Sequence, residues 1–146
     1  MRPPSSDDPQ AWSAAEGAGI PENDNGPRVL VVEDDPAIRE VLITTLRLSG
    51  YKVRAACEGD AVLPVALEFR PQLVLMDLML PGTDGWELTR RIKAQEELGR
   101  PPVIVLSARV REDDQARAIE AGASEFVAKP CRAGTLVEVV KKYLPV

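Results

Sequence analysis

The chain has 146 residues, 45% of them hydrophobic and 28% charged, with a formal net charge of −5. That length suits one domain and is too short for two with cores of their own, and the composition is that of a globular protein. No apolar run approaches the roughly 20 residues of a membrane helix, nothing at the N-terminus reads as a signal peptide, and no concentration of positive charge favours direct nucleic-acid binding. A cytoplasmic protein is expected.

Residues 1–27 hold five prolines and three glycines, no periodic apolar pattern, and four of the five net negative charges. They read as a disordered tail, leaving residues 28–146 as the domain. From Arg28 onward short apolar runs alternate with amphipathic segments, the rhythm of a parallel α/β sheet. Val29–Val32 is the first run, and Leu73–Met76 and Val103–Leu106 share its unbroken apolar character, as strands covered on both faces must. Tyr51–Ala55 alternates and Glu125–Lys129 ends in charge, which suits strands at the sheet margins.

Between the strands, Ile38, Val41, Leu42, Thr45 and Leu46 carry a helical stripe, with Asp35 as N-cap and Pro36 at the first position. A second helix is read over Ala61–Phe69, where Pro64 shifts or bends its start. The third begins near Asp84 and turns Leu88 and Ile92 inward. The fourth passes through Ala116 and Ile119 to a stop at Gly122. The fifth carries Leu136, Val139, Val140, Tyr143 and Leu144. Cys57 and Cys131 stand far apart in a chain without histidine, so zinc-type spacing is absent and both read as small, partly buried hydrophobes in a reduced compartment.

In a parallel sheet with right-handed crossovers, side chains just past the carboxyl ends of the strands converge on one crevice. The first strand delivers Glu33-Asp34-Asp35 there, the third Asp77, the fourth Ser107 and the fifth Lys129-Pro130. Crowded carboxylates need a proton or a divalent cation. Mg²⁺ suits such oxygen donors, since it uses one or two carboxylates and keeps several waters. Asp77 then fits a nucleophile forming an aspartyl-phosphate, faced by the compact charge of Lys129.

The stretches V-L-V-V-E-D-D-P, L-V-L-M-D-L-M-L-P-G-T-D-G, V-I-V-L-S-A and F-V-A-K-P together resemble the receiver domain of response regulators over residues 28–144. The resemblance implies a flavodoxin-like (βα)5 fold with strand order 2-1-3-4-5. It implies Mg²⁺ (or Mn²⁺) held by Asp34, Asp77 and the backbone carbonyl of Met79, with Glu33 acting mainly through water. It makes Asp77 the phosphoacceptor, Lys129 the phosphoryl-binding amine, and Ser107 the hydroxyl that turns toward the phosphoryl group. Phe126 becomes the aromatic that follows, and Pro130 the partner of a cis bond that aims the lysine. Cys131, where the family often has an aromatic, and Pro64 depart from the pattern away from the site.

The expected function is therefore a phosphorylation-driven signalling switch rather than an enzyme, catalysing only its own phosphoryl acceptance and slow loss. The donor is a histidine kinase or a histidine phosphotransfer protein. Output is expected through the face of the fourth helix, fifth strand and fifth helix, to a downstream partner protein, from a monomer or weak homodimer. The chain stops soon after the fifth helix, so no attached output domain is expected. A receiver excised from a longer protein and a binding module that has lost phosphorylation are the alternatives of the same fold. A phosphohydrolase would need an acid two residues after Asp77, where Met79 stands, and the first strand lacks the glycine-rich turn of dinucleotide binders. Gly82 and Gly85 read either as turn chemistry or as close approach to a partner, Asp35 and Asp84 as caps, and Trp86 as core or rim.

Overall fold

A computed structural model describes residues 25–108, 113–129 and 131–146, with Gln115 given by its backbone alone. The expected tail over residues 1–27 and the cis bond at Pro130 fall outside the described residues, apart from residues 25–27. Strands β1 (Arg28–Val32), β2 (Lys52–Ala56), β3 (Leu73–Asp77), β4 (Val103–Ser107) and β5 (Glu125–Ala128) form one sheet. All pairings are parallel, in the order β2-β1-β3-β4-β5. The two alternating or charged segments therefore occupy the edges and the three unbroken apolar runs the middle, where β3 and β4 are buried at every position.

Helices α1 (Pro36–Leu48), α2 (Gly59–Phe69), α3 (Gly85–Ala94), α4 (Asp114–Ala121) and α5 (Ala133–Tyr143) follow the strands, with a 3-10 turn over Glu96–Leu98. Strand side chains alternate between faces, and two apolar layers result. Val29, Val31, Leu73, Leu75, Ile104 and Leu106 pack under α1 and α5. Leu30, Val32, Val74, Met76, Val103 and Val105 pack under α2, α3 and α4. By the same alternation Ser107 shares its face with Phe126, which packs into the second layer.

Two helical readings are corrected, in α1 and in α4. In α1 the buried set is Arg39, Leu42, Ile43, Leu46 and Arg47, whereas Ile38 and Val41 are 38% and 54% exposed. Both sets follow the same i, i+3, i+4, i+7 spacing, and hydropathy favoured the one without arginine. In α4 the inward residues are Ala118 and Ala121, while Ile119 is 77% exposed; small residues face the sheet there and Gly122 caps the helix at φ 93 as expected. In α5 the expected Leu136 and Val140 are buried with Val137 beside them, and Val139, Tyr143 and Leu144 pack against the same layer. Pro64 lies inside α2 without ending it, and the helix begins at Gly59, two residues before the expected start.

The loop between β3 and α3 holds the third strand's reactive end, and its glycines divide the two readings. Gly82 adopts φ +68, which is turn chemistry. Gly85 is a close approach, but to the chain itself: a Cβ there would lie 2.8 Å from the Leu78 Cα and 3.2 Å from the Asp77 carbonyl oxygen. Gly85→Ala should therefore cost about 1–3 kcal/mol by forcing backbone to move. Gly134→Ala, in a helix with nothing within 4 Å of the added carbon, should gain about 0.5 kcal/mol. Urea denaturation of both variants checks the pair.

Candidate active site

The parallel ladders run one hydrogen bond past the strand ends. Glu33 N–H donates to the Ala56 carbonyl at 3.1 Å, Leu78 N–H to Leu106 at 3.0 Å, and Lys129 N–H to Ser107 at 2.7 Å. Backbone on either side of the crevice is thereby fixed by neighbouring strands. Glu33, Asp77 and Ser107 are 1%, 3% and 1% exposed. Carboxylate oxygens of Glu33, Asp34 and Asp77 lie within 4.8 Å of one another. Lys129 Nζ stands 2.6 Å from Glu33 Oε1 and 3.5 Å from Asp77 Oδ1. The expected carboxylates and amine do meet, and the amine's shorter contact is to Glu33.

Local chemistry fixes each group. Asp77 Oδ1 accepts the Met79 N–H at 3.0 Å, an Asx-type bond that sets the carboxylate's orientation, while the Met79 side chain is exposed. Asp35 Oδ1 accepts the Ala37 and Ile38 N–H groups, so its carboxylate is the α1 cap. Asp84 caps α3 through the Trp86 N–H.

Burial is the first cause that pushes Glu33 up to about 7, followed by its hydrogen bond to Asp77 and that residue's charge; Lys129 pulls the other way. For Lys129 burial works against the charged form, but the contacts with Glu33 and Asp77 outweigh it and the ammonium is held above its usual value. Burial and the neighbouring Asp77 carboxylate thus favour the protonated form of Glu33, and the Lys129 ammonium offsets part of the remaining charge. The donor set is entirely hard oxygen, clustered and partly open through Asp34, which fits a small divalent cation such as Mg²⁺.

Ser107 lines a cavity of about 180 Å³ with Leu78, Met79, Asp84, Trp86, Asp114 and Arg117. Beyond it Trp86 stacks on Phe126, ring centroids 6.3 Å apart and planes 20° from parallel, and the Arg117 guanidinium lies 5.9 Å above the Trp86 ring. Trp86 is core, as read. Its stacking on Phe126 and the Arg117 cover were not foreseen, since no spacing in sequence links the three. Arg39 was also missed: buried in α1, its Nη1 donates to the carbonyls of Glu33 and Asp34 at 3.1 and 3.3 Å. Its place at the head of the buried i, i+3, i+4, i+7 set was the available signal. Cys57 and Cys131 are both free and half-buried, as expected.

Comparison with known proteins agrees with this geometry. A family described as the response regulator receiver domain matches residues 29–141. The transcriptional regulatory protein BaeR of Escherichia coli is 38% identical over 86% of this chain and 51% of its own length. The transcriptional regulatory protein AfsQ1 of Streptomyces coelicolor is 40% identical over 75% of this chain and 48% of its own. The chain thus spans about half the length of the curated relatives it matches. Among solved structures, the receiver domain of the sensor histidine kinase PA1611 from Pseudomonas aeruginosa, with a magnesium ion coordinated in its active-site cleft, superposes with TM-score 0.72. It is 34% identical, covering 81% of this chain and 97% of that one. With strand order, site composition and these matches in agreement, the chain belongs to the response regulator receiver domain family.

Proposed function

We propose that residues 28–146 act as a phosphorylation-controlled signalling switch in the cytoplasm, taking a phosphoryl group on Asp77 from a phosphohistidine of a histidine kinase or histidine phosphotransfer protein. The observation that carries this is the buried Asp77 carboxylate with Lys129 Nζ 3.5 Å away, beside Glu33 and Asp34. An Asp77 carboxylate oxygen forms the new O–P bond as the donor's P–N bond breaks, and the electron pair of that bond leaves on the imidazole nitrogen. A bound Mg²⁺ or Mn²⁺, held by Asp34, Asp77 and the Met79 backbone carbonyl with Glu33 behind, supplies charge neutralisation for the phosphoryl oxygens. Lys129 offers its ammonium to the same oxygens, and Ser107 its hydroxyl.

The switch follows from Ser107 and Phe126 sharing one face of the sheet. A Ser107 side chain drawn to the phosphoryl group alters the cavity it lines, and Phe126 with Trp86 repacks in response. Exposed Ile119 on α4 and half-buried Phe126 on β5 support a downstream protein partner on the face of α4, β5 and α5, approached by a monomer or weak homodimer. Residues 28–146 carry a net charge of only −1, which supports protein contact over direct nucleic-acid contact by this unit. No helix among the described residues is long and apolar enough to cross a membrane. Turnover is limited to the domain's own phosphoryl gain and slow loss.

Incubation with Mg²⁺ and a small phosphodonor such as acetyl phosphate should add one phosphoryl group by intact mass. Asp77→Asn should add none, and an unmodified wild type would sink the reading. Lys129→Met should slow acceptance on the order of 100-fold, as losing a charge-stabilising donor does.

Acid crowding gives a second prediction. Glu33 ionises near 4.5 in the unfolded chain and is held up to about 7 in the folded one. Between those values the folded state binds the extra proton, so metal-free stability falls as pH rises through the window. The loss attributable to Glu33 is on the order of 3 kcal/mol. Melting curves across pH should show this decline, flattened by saturating Mg²⁺. In Glu33→Gln the metal-free decline should also be flattened, without the Mg²⁺-dependent gain.

A further inference from the structure

The inward face of α1 carries two arginines, Arg39 and Arg47, 3% and 6% exposed. Long cations are rarely placed inside unless something holds them. Arg39 points its Nη1 at two consecutive peptide carbonyls, Glu33 at 3.1 Å and Asp34 at 3.3 Å. These belong to the peptide units that lead into and out of Asp34, where the chain leaves β1 for α1. The next unit is held from the helix: the Asp35 carbonyl accepts the Arg39 N–H at 2.9 Å and the Asp35 side chain accepts the Ala37 and Ile38 N–H groups. Glu33 is anchored on its other side by its N–H on Ala56. The acidic turn is therefore clamped from the sheet, from the helix cap and from beneath.

We propose that Arg39 is a positioning residue for the divalent-cation site, acting through the backbone of Glu33 and Asp34 rather than through its charge. This rests on the metal-assisted reading above and deepens it. Free rotation of the 33–34 and 34–35 peptides would swing the Asp34 carboxylate, the half-buried member of the trio, away from Asp77. The clamp removes that freedom before the ion arrives, as outer-shell partners of metal ligands do. A merely electrostatic role predicts the opposite sign, because a buried positive charge near the site repels a divalent cation and its removal would tighten binding.

Calorimetric titration of the full chain with MgCl₂, with melting in EDTA run in parallel, separates the cases. Arg39→Met should weaken Mg²⁺ binding roughly tenfold or more. Arg39→Lys should recover part of that loss, because an ammonium can still donate to a carbonyl but without the planar fork. Arg47→Met, on the same buried face, should lower the melting temperature and leave Mg²⁺ affinity within about twofold of wild type. Phosphoryl acceptance by Arg39→Met should regain its maximal rate at raised Mg²⁺. Folded Arg39→Met that binds Mg²⁺ as tightly as wild type, or more tightly, overturns the proposal, as does an equal loss of affinity in Arg47→Met. If Arg39→Met does not fold, Arg39→Lys decides: weakened binding supports the clamp and unchanged binding overturns it. Wild-type protein that takes up no Mg²⁺ overturns the metal-assisted reading itself, a failure visible before any variant is made.

Discussion

Three carboxylates with oxygens inside 4.8 Å of one another, two of them almost wholly removed from water, set the terms for everything at the carboxyl end of this sheet. At that separation each like-charged pair repels by about 3 kcal/mol even with an effective dielectric of 20. The trio cannot be fully ionised without compensation. In the metal-free protein the raised proton affinity of Glu33 and the Lys129 ammonium lying against it offset part of that repulsion. The same cluster of hard oxygens fits a divalent ion, which would relieve the remaining repulsion. A buried ion pair adds little net stability once desolvation is counted, so these groups are better understood through what they bind than through what they stabilise.

The fold confines the charge to one end by burying everything beneath it. β3 and β4 are apolar at each position until Asp77 and Ser107, and the ladder continues one bond further in each case. Polar groups appear only where the strands run out. On the α3 and α4 side, Ser107 and Trp86 line one cavity, and Trp86 stacks on the half-buried Phe126. An aromatic pair contributes about 0.5–1.5 kcal/mol beyond its burial, a cost that a charge-driven rearrangement at Ser107 can meet. In the proposed switch, coupling to Phe126 would run through side-chain packing rather than through distortion of the sheet.

Strands were legible because burial on both faces leaves an unbroken apolar run, which no surface helix shows. Site residues were legible for a related reason: Glu33, Asp34, Asp77, Ser107 and Lys129 interrupt or follow those runs, so their placement depends on strand ends alone and survives an error of one residue, as at β2. Helix faces were less legible. In α1, Ile38-Val41-Leu42-Thr45 and Arg39-Leu42-Ile43-Leu46 fit one template equally, and only tertiary acceptors, the Glu33 and Asp34 carbonyls, make arginine the inward choice. In α4 alanines face the sheet and Ile119 faces out, an inversion that hydropathy cannot anticipate because it reflects how closely the helix packs.

The charges around the acidic trio divide into those that stay and those that can move. The N-terminal end of α1 and the Arg39 hydrogen bonds to the Glu33 and Asp34 carbonyls belong to the backbone frame. Lys129 differs, since its side chain bridges Glu33 and Asp77 while its own N–H is tied to the Ser107 carbonyl at 2.7 Å. Its ammonium can therefore shift from Glu33 to an incoming anion without moving β5 along β4. In the switch proposed above, a signal reaching Phe126, three residues earlier on the same strand, would pass through Ser107, which lines one cavity with Trp86, and through the Trp86 stack on Phe126.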